Sequence, residues 1–163
     1  AQAGLYHHHG IGKHALPQKQ FGVFRHTVRD DSCPLIRGFD DVFWAPHSRH
    51  TSIRREDIKG NLKVIAESEE AGVYIAMSED GRQIFITGHS EYDPDTLERE
   101  YLRDIRHGQP MPVNYYPDDD PEKSPLVRWR AHSTLLYSNW VNYYVYQMTP
   151  YEISLIGKTI GST

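Results

Sequence analysis

Three apolar runs, Leu62-Lys-Val-Ile-Ala66, Gly72-Val-Tyr-Ile-Ala-Met77 and Gln83-Ile-Phe-Ile-Thr87, follow one another closely and end on Gly88-His89-Ser90-Glu91-Tyr92. Each is short, rich in β-branched or aromatic residues and bounded by turn formers, which predicts three strands. Asp80-Gly81, between the second and third, predicts a tight hairpin turn. Past Tyr92, Asp93 reads as a helix N-cap with Pro94 at the first helical position. Leu97, Tyr101, Leu102 and Ile105 then recur at helical spacing as far as Gly108. Strands that feed a helix, with chemistry-bearing side chains at the junction, make this an α/β domain.

The flanking sequence extends the pattern. Residues 1–9 read as a helix ended by Gly10-Ile11-Gly12, and residues 20–28 as a strand. A turn-rich stretch at 30–34 precedes a short strand at 42–45, which is expected to break at Pro46. Residues 109–124 are rich in Pro and Asp and predict a surface loop. Residues 125–148 carry Trp129, Leu136, Trp140, Tyr143 and Tyr144 and predict one long aromatic helix, followed by Pro150 and a frayed tail beyond Ile156. There is no internal repeat and no linker. A doubly wound domain starts on a strand, whereas here the first helix has no strand before it.

Composition narrows the function classes. The 163 residues include 11 Tyr and 3 Trp, an aromatic load that belongs to a packed core rather than a disordered chain. Lys+Arg total 18 against 22 Asp+Glu, so the net charge of −4 excludes a basic nucleic-acid footprint over the whole surface. No apolar run is long enough for a membrane-spanning helix. The chain opens on Ala1 without Met and without a basic region leading into an apolar stretch, as expected of a fragment or processed product rather than a signal peptide. The single cysteine, Cys33, excludes an internal disulfide and points to a reducing, cytoplasmic compartment.

His89 and Glu91 are two apart at a strand end, so extended backbone puts them on one side. A carboxylate beside an imidazole fixes its tautomer and steadies the imidazolium, the arrangement of a general base and its orienter. His-x-Glu pairs are also common in ordinary loops, so this pair alone leaves the chemistry open. Glu100 and Arg103, three apart on the next helix, share a face; Arg can grip a carboxylate in two-pronged fashion, or the two can form an exposed ion pair. Other motifs are decoys. His7-His8-His9 point in different directions on a helix and cannot face one ion. Gly10-Ile11-Gly12-Lys13-His14-Ala15 imitates a dinucleotide loop, but no strand precedes it and Pro17 blocks the helix it needs. Asp118-Asp119-Asp120 lacks the alternating ligands of a calcium loop. Cys33, in Asp-Ser-Cys-Pro, has no strand-to-helix elbow to expose its sulfur.

Six ordered blocks together resemble the homoserine O-acyltransferase family, often called homoserine transsuccinylase. They are Ala1-Gln-Ala-Gly-Leu-Tyr-His7, Phe21-Gly-Val-Phe24, Leu35-Ile-Arg-Gly-Phe-Asp-Asp41, Phe43-Trp-Ala-Pro-His-Ser-Arg-His-Thr51, Thr87-Gly-His-Ser-Glu-Tyr-Asp93 and Asn142-Tyr-Tyr-Val-Tyr-Gln-Met-Thr-Pro150. The resemblance implies a flavodoxin-like α/β fold of the class I glutamine amidotransferase type, present here as its C-terminal half. It implies transfer of an acyl group from acyl-CoA to the hydroxyl of L-homoserine, on the way to methionine, by a ping-pong route through a cysteine thioester.

On the same resemblance, His89 is the base and Glu91 its partner. Arg103 holds the amino-acid carboxylate, Lys19 lies near the substrate, Ser48 lines the homoserine pocket and Glu100 takes the ammonium group. The nucleophile belongs to a Cys-Trp-Gly segment directly before Ala-Gln-Ala-Gly, so it and the first half of the domain are expected to lie outside this chain, and Cys33 does not replace it. No cofactor is implied, since acyl-CoA is a co-substrate, and neither nucleic acid nor membrane is an expected partner. A homodimer is a family expectation, and acetyl is favoured over succinyl as the transferred group. The alternatives are a glutamine-amidotransferase-like hydrolase with the same Cys, His and Glu, and a remnant that only binds. An isolated half is expected to expose an apolar edge.

Overall fold

The computed structural model describes residues 1–148, 152 and 154. Its frame is a five-stranded sheet in the order β2-β1-β3-β4-β5, formed by β1 (His14–Val28), β2 (Val42–Ser52), β3 (Leu62–Ser68), β4 (Gly72–Ser78) and β5 (Ile84–Ile86). All the ladders between these strands are antiparallel. Among the described residues, three α-helices accompany them: α1 (Gln2–His9), α2 (Thr96–Asp104) and α3 (Arg130–Asn139). The three strands read from the apolar runs are β3, β4 and β5. The connection after β4 is a turn closed by Gly81 N–H to Ser78 O and Ser78 N–H to Gln83 O.

The core forms on both faces of β4, whose residues from Val73 to Ser78 are all buried. Leu5 of α1 joins Val73, Ala76 and Phe85 in one cluster, and Leu136 of α3 joins Tyr74, Ile75 and Met77 in another. Burying a residue the size of Leu contributes about 1.5–3 kcal/mol, so helices on both faces hold this strand. A third cluster of Phe21, Val23, Leu97, Tyr115, Tyr116 and Trp129 ties α2 to β1.

The structure corrects several expectations. The strand from 42 runs through Pro46 to Ser52 instead of ending there. Pro46 stands opposite Val23 in the outermost strand. The Val23 N–H goes to Val113 O at 2.9 Å and the Pro46 carbonyl accepts the His89 N–H at 2.8 Å, so this pair turns its amides away from each other. A proline loses no ladder bond on that side. The strand expected from residue 20 begins at His14, and its register slips between Ala15 and Gln20, where Pro17 falls inside the bulge.

The helix expected from Pro94 begins at Thr96, because Thr96 N–H bonds Asp93 O and makes residues 93–95 a turn. The loop at 109–124 is not simply surface. Val113 pairs with β1 on both sides of Gly22, and Tyr115 and Tyr116 are buried. Gly22 permits this approach: it has φ +141°, and a Cβ there would sit 2.3 Å from Val113 O. The helix expected over 125–148 starts at Arg130 and continues as a wider π turn over Trp140–Tyr146. Residues 125–129 instead run beside the tyrosines, with Leu126 N–H on Tyr115 O. The expectations for Pro150 and for the tail beyond Ile156 lie outside the described residues.

Candidate active site

The segment after β5 is pinned residue by residue. Gly88 lies against His47 and Tyr74, where a Cβ would meet Tyr74 Cε2 at 2.6 Å and His47 Nε2 at 2.9 Å. The backbone N–H of His89 is held by Pro46, and Ser90 Oγ is hydrogen-bonded to the buried Tyr74 hydroxyl. So fixed, His89 places Nδ1 2.7 Å from Glu91 Oε1. An ionised carboxylate only accepts, so Nδ1 carries a proton and donates it to Glu91. Nε2 has no hydrogen-bond partner among the described residues, and the side chain is 35% exposed. Partial burial pushes the Glu91 carboxyl up, but the hydrogen bond and charge of His89 and a backbone N–H outweigh it, and the group stays below its ordinary value. The expected neighbours are therefore together: an imidazole oriented through Nδ1 by a carboxylate, with Nε2 left unpaired among the described residues.

A second carboxylate, Glu100, draws two of the other expected residues, Ser48 and Lys19, around itself. Glu100 on α2 accepts from Ser48 Oγ at 2.6 Å, from Tyr92 OH at 2.9 Å and from Lys19 Nζ at 3.3 Å. Lys19 comes from the β1 bulge and its ammonium also lies 4.0 Å from the Phe21 ring centre. Burial again pushes the carboxyl up, but these hydrogen bonds and the Lys19 charge bring Glu100 below its ordinary value. Three of about four acceptor positions are used, so one stays open.

Arg103 stands apart from this group. Its Nε and Nη2 clasp Asp104 Oδ1 and Oδ2 at 2.7 and 2.6 Å, and its side chain is 66% exposed. The shared helix face does not produce an ion pair with Glu100.

Tyr92, singled out by no spacing rule, joins the two carboxylate centres. Its ring stacks on the His89 imidazole, centroids 4.5 Å apart and planes 14° from parallel, while its hydroxyl reaches Glu100. Burial first, and then the hydrogen bond and charge of Glu100, push its phenol above the ordinary range, which keeps it a donor. Arg49 is also new: buried, it gives Nε to Gln20 Oε1, Nη1 to Thr87 O and Nη2 to Ala71 O, anchoring the residue before Gly88. The signal in the sequence was Pro46-His-Ser-Arg49, polar side chains continuing an apolar strand.

The decoys take other places. Cys33 is buried, 3.7 Å from the Tyr144 hydroxyl and among Leu35, Ile36 and Phe43. His9 bonds Gln83. No group of three or more His, Cys, Asp or Glu side chains that could hold a metal occurs among the described residues, and none of the described helices is long and apolar enough to cross a membrane. Tyr137, Trp140, Val141, Val145, Tyr146 and Met148 form an exposed apolar set on α3 and the turn after it.

The His89–Glu91 pair lies in a turn beyond the end of β5, closed by Tyr92 N–H on His89 O, rather than on the extended backbone the sequence suggested, and the scaffold that carries it defines a fold class. The glutamine amidotransferase of Thermotoga maritima superposes with a TM-score of 0.58 at 15% identity, over 81% of this chain and 54% of that one. That of Methylobacillus flagellatus gives 0.55 at 14% identity, over 81% and 55%. The chain thus has the glutamine amidotransferase-like α/β fold, as expected.

Within that class the sequence is specific. The profile of the homoserine O-succinyltransferase family matches residues 1–151, and the chain belongs to this family. It is 56% identical over 164 aligned positions to a homoserine O-acetyltransferase of Petrotoga mobilis, covering 98% of this chain and 53% of the relative. It is 59% identical over 158 positions to one of Brevibacillus brevis, covering 94% and 52%. The chain therefore spans about half the length of the curated relatives it matches.

Proposed function

We propose that this chain supplies the base, its orienting carboxylate and the amino-acid side of the pocket of a homoserine O-acyltransferase. The complete enzyme moves an acetyl group from acetyl-CoA to the hydroxyl of L-homoserine, in the cytoplasm and on the way to methionine. It needs no cofactor, since acyl-CoA is a co-substrate. The observation that carries this reading is the His89 imidazole held at Nδ1 by Glu91 and stacked on the tyrosine that donates to Glu100.

In the proposed route His89 Nε2 takes the proton of a cysteine thiol, and the thiolate attacks the acyl carbonyl and expels CoA as a thiol. Cys33 is buried among apolar side chains and is not that cysteine. The nucleophile comes from chain outside these residues, which form the C-terminal half of the domain. Homoserine then enters. Its ammonium takes the open acceptor position on Glu100, beside Ser48 and Lys19, and its carboxylate draws Arg103 from Asp104 into a two-pronged pair. His89 removes the hydroxyl proton as the oxygen attacks the thioester, and the ester leaves as the thiol is restored. Glu91 stabilises the imidazolium formed in each half.

The acetyl donor is favoured by the names of the relatives, 56% and 59% identical. The fold is shared with glutamine amidotransferases, so glutamine hydrolysis is the competing activity. Assay of the full-length protein with homoserine and acetyl- or succinyl-CoA, and separately with glutamine, decides. Release of CoA with formation of O-acetylhomoserine is expected. Glutamine turnover without CoA release would overturn the reading.

A further inference from the structure

Two fully buried imidazoles meet behind the 88–90 segment. His26 of β1 and His47 of β2 face each other Nε2 to Nε2 at 3.0 Å, with rings 15° from parallel. A hydrogen bond between two ring nitrogens needs one N–H and one lone pair, so two neutral rings must be opposite tautomers. The surroundings keep them neutral. Burial outweighs an opposing contact with the Phe24 backbone and, with the Arg49 charge added, pushes His26 down to about 3. Burial first, and then the charge of Arg49, push His47 well below its ordinary value.

This pairing leaves Nδ1 of both rings buried and without a partner among the described residues. Each such atom is costly, and two apolar side chains would fill the space without that loss. Burial alone therefore does not account for the pair. What it adds is direction. The His47 ring is the wall against Gly88, and Pro46 beside it holds the His89 N–H. Tyr74 packs its ring 4.6 Å from that of His26 and holds Ser90 with its hydroxyl. Three successive residues of the active-site segment thus rest on a floor of Pro46, His47 and Tyr74, and the imidazole–imidazole bond sets where His47 lies on it.

We propose that the His26–His47 hydrogen bond is a positioning device that orients His89, with neither ring touching substrate. Its consequence for turnover rests on the acyltransferase reading, whereas its structural core does not. Three measurements test it. In the long-range proton–nitrogen spectrum of the protein, the two rings should be opposite neutral tautomers; a charged pair or two identical tautomers would overturn the proposal. His26→Phe leaves His47 Nε2 unpaired and should move the low-field resonance of the His89 Nδ1 proton. His26→Gln, whose amide can bond His47, should bring it back. In the full-length enzyme His26→Phe should lower kcat about tenfold or more while the homoserine KM stays within about twofold, and His26→Gln should recover most of the loss. Equal behaviour of the two variants, both unchanged or both impaired, would refute the role. If His26→Phe does not fold, the tautomer measurement on the unaltered protein still decides. If the unaltered full-length protein transfers no acyl group, the functional reading fails, while the tautomers and the His89 resonance still test the pair.

Discussion

The Tyr92 ring lies flat on the His89 imidazole, 4.5 Å between centroids, while its hydroxyl donates to Glu100 at 2.9 Å. One side chain thus touches both the proposed base and the carboxylate proposed to take the substrate ammonium. Its two contacts can be removed separately. Tyr92→Phe keeps the stack and loses one hydrogen bond to a charged group, so in the full-length enzyme the homoserine KM should rise about tenfold with kcat nearly unchanged. Tyr92→Ala removes the stack as well and should lower kcat too. Steady-state kinetics with homoserine varied separates the outcomes, and equal effects of the two variants would contradict the two-contact picture.

Glu91 acts on His89 through Nδ1, so Glu91→Gln should keep the geometry and lose the charge that steadies the imidazolium. A drop in kcat of about 10²–10⁴ is expected, read as CoA release in the full-length protein. His89→Ala should abolish the initial burst of CoA. A burst of normal size in that variant would remove His89 from the role of base.

The clasp of Arg103 on Asp104 gives a different expectation. If Arg103 turns to the substrate carboxylate only when homoserine binds, Arg103→Ala should raise the homoserine KM and leave the CoA burst intact. Loss of both half-reactions to the same extent would make Arg103 a structural residue.

Local signals explain which parts of this fold were legible. The strands at 62–68, 72–78 and 84–86 announce themselves by β-branched runs between turn formers, and His89 and Glu91 are two apart in one segment. Pro46 misled because a proline's effect depends on which way the strand amide faces, and that is decided by Val113 and His89, far away in the chain. Tyr115 and Tyr116 lie in a Pro- and Asp-rich stretch whose composition hides that they plug the core. The Glu100 centre joins side chains 81, 52 and 8 positions away, beyond any spacing rule. Only the family resemblance brought Lys19 and Ser48 into view, and it did not show that they bond Glu100.

The Glu100 centre also predicts acid behaviour. Its carboxyl lies below the ordinary value of 4.5, as does that of Glu91. A carboxyl depressed in the folded state adds stability that is fully present above its unfolded value and is lost as pH falls through its folded value. Ser48→Ala removes one hydrogen bond to Glu100 and raises its folded value toward the unfolded one. The variant should lose about 1 kcal/mol at pH 7, less where solvent screens the site. Its acid-unfolding midpoint, followed by circular dichroism, should move to higher pH. An unchanged midpoint would mean that the Ser48 bond does not hold the carboxylate.

Gly88 is a glycine for want of space rather than for backbone freedom. A Cβ there would lie 2.6 Å from Tyr74 Cε2 and 2.9 and 3.0 Å from His47 Nε2 and Cε1. Neither neighbour can easily retreat. Tyr74 is packed against His26 and Phe43 with its hydroxyl on Ser90, and His47 is bonded to His26. The strain of Gly88→Ala must then be relieved by moving residues 88–90 outward, which carries His89 away from the Pro46 carbonyl. Overpacking of this kind costs about 1–3 kcal/mol, so the melting temperature should fall by about 3–10 °C. The His89 Nδ1 proton resonance should shift with it. A melting temperature that falls without any change in that resonance would place the strain in Tyr74 and His47 instead, and would show that the floor yields before the active-site segment does.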